Sequence, residues 1–306
     1  MRVSFEFFWI APMGNVKKEA KITHQARLVV VPEGAATFED LRQQLRRLVN
    51  FLSFATDQTL DIEALYAYSP SAMMKVQDGE KPTSIPVFYE SSTQVRRVEV
   101  KHYSMLFCYP DVADRLQGML TDWLAHHEAL SPAFNLYFAV CAESHTFIES
   151  RFLSIAQGLE TLHDRTSSET VEPPEEFAER VSAILAACPH PHREWLEEQL
   201  AYANKLSLRK RMQRLLKPFT SHFGNAEERK VLVDNMVDTR NYLTHYDPAL
   251  AARAAQRIDL LKLVYKLEAL FQLHLLLLVG IDQSRINALV ASNLKLRQRL
   301  GMEPGW

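Results

Sequence analysis

Residues Val233–Leu250 read VDNMVDTRNYLTHYDPAL, and the fold turns on whether this is a surface helix running into a turn or a catalytic pair at a helix end. Arg240 and His245 are five positions apart, roughly 140° around an α-helix, so a continuous helix does not put them on one face. Asp247-Pro248 disfavours helix just ahead of the proline, which sets the helix end near Thr244 to Tyr246. His245 then lies on the last turn or just past it, free to swing beside the long Arg240 side chain. The spacing alone is weak, because Arg97 and His102 repeat it in VRRVEVKHY. There a strand period sends positions five apart to opposite faces, and that pair is set aside. Taken in isolation, the stretch is better explained as an ordinary helix end.

Working outward, the chain has 306 residues, 47% hydrophobic and 24% charged, enough for a packed core. A net charge of −2 excludes wholesale attraction to nucleic acid, so any such site must be a local basic patch. Nine glycines argue against a glycine-cradled phosphate enzyme, and three scattered cysteines argue against a disulfide framework. The N-terminal MRVSFEFFWIAP carries Glu6 and lacks a small-residue cleavage pattern. The apolar run Leu273–Ile281 is too short to span a bilayer. The expectation is a soluble cytoplasmic protein with no membrane partner.

The chain changes character near residue 140. Before it, RVSFEFFWI, ARLVVVP, SIPVFYE and VRRVEVKHYSMLFCY read as strands. Among them stands a helix, TFEDLRQQLRRLVNFLSFATD, with Thr37 as N-cap, Asp40 three residues on and a Leu41, Leu45, Leu48, Leu52 stripe. A second helix follows Pro110 and ends at His126-His127, where cations suit the C-terminal dipole. Beyond residue 140 the pattern is helical: Phe147–Arg165, then about 175–187, 191–204, 208–219, 226–244, 250–279 and 283–299. The expected fold is α+β, a mixed strand and helix domain over 1–140 followed by an all-α bundle over 141–306.

The Arg240-Asn241 dipeptide followed by His245, in TRNYLTHYD, resembles the signature of the HEPN superfamily of α-helical nucleases, most closely its ApeA-like branch of bacterial anti-phage abortive-infection proteins. FIESRFLSIAQGLETLHDR (Phe147–Arg165) resembles that branch's first HEPN helix, and the likeness runs from about Ser144 to Leu300. Around LVNFLSFATDQTLDIEALYAY the chain resembles the ApeA amino-terminal domain more loosely. The resemblance implies a homodimer formed through the HEPN domain, an RNA substrate with transfer RNA as the family-level expectation, and an amino-terminal domain that senses a phage-derived trigger or restrains the nuclease.

The chemistry such a site needs is compact. In RNA the ribose 2′-OH can attack the adjacent phosphate, leaving a 2′,3′-cyclic phosphate and a 5′-OH, with no metal required. The step calls for a base, an acid and a cation beside the developing phosphorane. Histidine suits the proton transfers. Arginine stays charged and forks onto phosphate oxygens. One Arg240-His245 pair supplies one proton carrier, and two copies across a two-fold axis supply both acid and base. Asn241 can bind phosphate or fix the histidine tautomer, or simply close the helix end; Tyr242 reads as packing.

Glu160, in AQGLETLHD, occupies a position where the family has an acidic residue; it either orients Arg240 or His245 or lies on a solvated face. Lys210, Arg214 and Lys217 share a helix face in KLSLRKRMQRLLKPF and are the best local candidates for holding RNA phosphates, against the bland account of a solvated basic face. CPHPH (Cys188–His192) has no partner pair at finger spacing and reads as a loop, so neither a metal nor a cofactor is expected. The competing account is a HEPN-type dimeric binding or scaffold module without catalysis. A small-molecule enzyme in the amino-terminal domain is a third, for which no residue set speaks.

Overall fold

A computed structural model describes residues 1–10, 23–76, 79–89, 100–142 and 147–303. Packing divides the chain into two compact units, Met1–Leu52 and Ser53–Trp306. The first unit holds an antiparallel hairpin of β1 (Arg2–Ile10) and β2 (Thr23–Val31), in which Phe5 pairs with Leu28 and Phe7 with Ala26. Alternation along β1 puts Phe5, Phe7 and Trp9 on one face, and all three are exposed. Helix α1 (Phe38–Thr56) starts as its sequence requires: Thr37 Oγ1 accepts from the Asp40 amide while Asp40 accepts from the Thr37 amide, both at 3.1 Å.

The second unit opens with two short antiparallel ladders. One pairs β3 (Leu65–Ala67) with β6 (Ile85–Val87), and inside it β4 (Met73–Val76) pairs with β5 (Gly79–Pro82). The inner hairpin was not legible in SPSAMMKVQDGEKP, which lacks strand alternation. The strand expected over Val95–Tyr109 is not seen where it can be judged: 95–99 lie outside the described residues, His102–Ser104 form a 3-10 turn, and α2 begins at Tyr109 (Tyr109–Val112). Pro110 fits that first helical turn better than a ladder.

The bundle follows in helices α3 (Leu116–Cys141), α4 (Ile148–Thr166), α5 (Pro174–Ala187), α6 (Arg193–Leu200), α7 (Leu208–Leu216), α8 (Ala226–His245), α9 (Arg257–Leu278), α10 (Gln283–Ser292) and α11 (Leu294–Leu300). The fold class is therefore α+β, a strand-rich beginning followed by helices.

Three helix ends differ most from expectation. The helix expected to stop at His126-His127 continues to Cys141 through Pro132, because Leu130, Ala133, Phe134, Tyr137 and Val140 carry its buried stripe onward. His127 is not an end group but lies buried against the rings of Trp123 and Phe134. The helix expected from Leu250 begins at Arg257, since Asp247-Pro248 starts a 3-10 turn and Thr239 Oγ1 holds the Ala255 amide at 2.8 Å. The last helix is two, because Asn293 leaves the helical region, caps Leu296 with its Oδ1 and donates to the Met105 carbonyl.

Helix α9 is apolar almost all round and runs through the middle of the bundle. Helix α3 lies along α4, and α4 along α9. Gly158 makes that approach possible, since a Cβ there would meet the Phe271 ring at 3.3 Å and Leu136 Cβ at 3.4 Å. The bundle also buries a charge cluster. Asp57 takes Arg299, Lys295 and the Gln272 amide, while Glu268 takes Arg151 at 2.6 Å. Burial pushes the Asp57 carboxyl up, but the Arg299 and Lys295 charges outweigh it and hold the group below its ordinary value.

Candidate functional site

Helix α8 sets the site. Asn225 caps it, accepting from the Glu227 and Glu228 amides, and Glu228 returns the bond to the Asn225 amide at 2.7 Å. Leu232, Val233, Met236, Thr239 and Leu243 face the core, which turns the opposite arc outward. On that arc, Arg240 comes first, then Thr244, Asn241 and His245 within roughly 140°. Arg240 and Asn241 are half-buried and His245 is exposed. The helix ends where the sequence set it: His245 is its last residue, and Tyr246 takes the left-handed conformation (φ 52°) with its amide on the Tyr242 carbonyl.

Arg240 finds its partners elsewhere than at His245 within one chain. Among the described residues no hydrogen bond joins Arg240 to His245, because the two leave α8 in different directions. Arg240 Nη1 instead points to Asn241 Oδ1 at 3.5 Å, and Nη2 lies 3.9 Å from Glu160 Oε2 on α4. Of the two partners considered for Glu160, the structure brings it to Arg240. Glu160 is about a third exposed, so the pair is neither buried nor fully solvated. Thr244 Oγ1 donates to the Arg240 carbonyl at 2.7 Å, tying the last turn together.

The segment after α8 is pinned by two residues that the sequence analysis passed over. Asp238, buried on α8, pairs with Arg253 at 2.7 Å, and Thr239 holds Ala255. An acidic residue two positions before Arg240, within the helix's buried register, is the signal that marks Asp238. Tyr242 packs as expected, its ring 5.7 Å from that of Tyr246 in an edge-on arrangement.

The basic stretch is divided by its ion pairs. Met212, Leu215 and Phe219 turn inward. Arg214 is held by both oxygens of Glu169 at 2.8 Å, Arg209 pairs with Asp234, and Arg211 is buried on Asp164. The hydrogen bonds from Arg214 draw the Glu169 carboxyl below its usual range. Lys210 and Lys217 stay exposed and, among the described residues, unpaired. Of the three phosphate candidates, only these two present free cations. Cys188, His190 and His192 fall in a turn before α6, with His190–His192 in a 3-10 helix. Among the described residues, no helix is long and apolar enough to cross a membrane.

Two family models match the chain. The model for ApeA N-terminal domain 1 matches residues 1–123, and the model for Apea-like HEPN matches residues 153–285. The second span holds Glu160, the basic stretch and the whole Arg240 to His245 turn. No curated protein and no solved structure matches the chain. With both modules present in this order, the chain belongs to the ApeA-like HEPN family.

Proposed function

We propose that the chain is a metal-independent endoribonuclease of the HEPN type, acting in the cytoplasm as an anti-phage abortive-infection effector and working as a homodimer. The observation that carries the reading is the last turns of α8, which place Arg240, Asn241 and His245 on its outward arc inside a family match. Arg240 neutralises charge on the phosphorane, with Glu160 and Asn241 fixing its direction. One His245 takes the proton as the ribose 2′-oxygen bonds to phosphorus. The His245 of a second copy gives a proton to the departing 5′-oxygen as the P–O5′ bond breaks. Products are a 2′,3′-cyclic phosphate and a 5′-OH. One chain offers one imidazole for two proton transfers, so the site is completed across a dimer, where each guanidinium serves a phosphate shared with the other copy's imidazole.

Residues 141–306 form the nuclease module in this reading and 1–140 the regulatory one, which answers a phage-derived trigger. Transfer RNA is the substrate class the family suggests, with Lys210 and Lys217 drawing in its phosphates. Pairing of Arg209, Arg211 and Arg214 with carboxylates favours the second reading, a non-catalytic dimeric scaffold, because it reduces the free positive charge. An RNA-cleavage assay in excess chelator decides between them. The enzyme reading expects cutting by the wild type and none by Arg240→Ala or His245→Ala at unchanged fold. Cutting that needs magnesium, or that survives either substitution, rejects it.

A further inference from the structure

Resting on the ribonuclease reading above, we propose that the groove beside the end of α8 is a nucleobase subsite. It takes one unstacked base of a single-stranded RNA next to the bond cut at Arg240 and His245, with guanine preferred. The groove, about 430 Å³, is bounded by the start of α4, the end of α8 and the start of α9. That volume lies in the range of small-molecule sites. Its place is set by the helix. Tyr242 precedes His245 by three residues and so neighbours it on the α8 surface. Tyr246 follows His245 directly and is turned out of the helix by its left-handed backbone. The groove is therefore lined by the helix neighbours of His245 and lies at the same end of α8 as the imidazole.

The lining suits a base. Tyr246 is 67% exposed and Phe147 68%, so two aromatic faces stand open to solvent at the groove. Bases stack on such rings whatever their sequence, and single strands are held this way. The Glu149 carboxylate also lines the groove; it repels phosphate, so the backbone does not enter and a neutral ring can. A carboxylate only accepts hydrogen bonds. Guanine offers it two adjacent donors, N1–H and N2–H, adenine and cytosine offer one amino group, and uracil offers one N–H between two carbonyls. Arg257, on the same wall and unpaired among the described residues, supplies a cation for the phosphate that follows the bound base. Base-paired RNA hides these edges, so the substrate must expose the base in a loop, bulge or end.

The test uses the full chain and short single strands with 2′-fluoro sugars, which bind but cannot be cut. Fluorescence anisotropy is expected to show tighter binding of a guanine-containing strand than of an all-uracil one. Tyr246→Ala should weaken binding about tenfold, with Tyr246→Phe retaining it. Glu149→Gln should remove the preference for guanine. Wild-type affinity in Tyr246→Ala, equal binding of both strands, or no binding at all overturns the proposal. So does a loss of affinity that appears only with loss of dimer mass in light scattering, which would make the groove a contact between copies. Parallel cleavage of ordinary RNA separates the two readings. Cutting that needs His245 and ignores Tyr246 and Glu149 sinks the subsite and leaves the nuclease standing; a wild type that binds guanine strands and never cuts does the reverse.

Discussion

Glu160 Oε2 on α4 and Arg240 Nη2 on α8 face each other at 3.9 Å, each side chain about a third exposed. That distance is long for a charge-assisted hydrogen bond, so the carboxylate aims the guanidinium without enclosing it. Arg240 thus keeps donors for a phosphate. In the proposed mechanism Glu160 would act as a positioning residue. Glu160→Gln is expected to lower kcat for RNA cleavage by about tenfold at little change in KM, since the orientation counts at the transition state. Equal loss in KM alone would show a binding role instead.

Arg240→Lys is not expected to restore activity to Arg240→Ala, because an ammonium cannot fork onto two phosphate oxygens. His245→Ala should lower kcat by about a hundredfold or more, the range of a lost general acid–base group. Melting temperatures should stay near wild type for both, as His245 is exposed and Arg240 only half-buried. Steady-state kinetics beside thermal melts checks the pair; a large drop in melting temperature would mean that the side chains hold the fold.

Freeing Arg214 should strengthen RNA binding. Glu169 occupies the guanidinium with both oxygens, so Glu169→Gln is expected to raise affinity and steepen its salt dependence. Lys210→Ala and Lys217→Ala should each reduce the slope of log K against log salt by about one. A titration of affinity against salt reads all three, and slopes unmoved by the lysine changes would place the RNA elsewhere.

The buried cluster around Asp57 should behave as a stability element. Asp57→Ala leaves Arg299 and Lys295 without their carboxylate and is expected to cost about 3–5 kcal/mol in urea unfolding. The folded-state carboxyl is depressed, so its contribution is present above the unfolded value near 3.9 and is lost as pH falls through the folded value. The wild type should therefore lose more stability than Asp57→Asn on acidification below about pH 4.

His274 adds a second acid-sensitive element. Burial lowers its imidazole from 6.5 to about 4, and its Nε2 lies 2.9 Å from the Leu215 carbonyl. A histidine buried neutral stabilises the fold fully above pH 6.5 and progressively less as pH falls toward 4. Across that window it should account for up to about 3 kcal/mol of lost stability. Unfolding curves of wild type and His274→Gln should converge toward pH 4, and parallel curves would reject the assignment.

The sequence by itself determined what local rules decide. The Thr37 cap, the stop at Asp247-Pro248, the inward register of Met212 and Leu215, and the motif that marks the family all act within one or two helical turns, where spacing fixes direction. The His126-His127 pair misled because a favourable charge at a possible helix end does not stop a helix whose buried stripe continues past it. Tertiary structure alone decided the rest: that Glu160 meets Arg240 rather than His245, that Arg214 is taken by Glu169, and that Tyr246 and Phe147 open on a common groove. Such pairings depend on how helices distant in sequence cross, and a crossing is set by the summed shape of two buried faces, which no single residue spacing encodes.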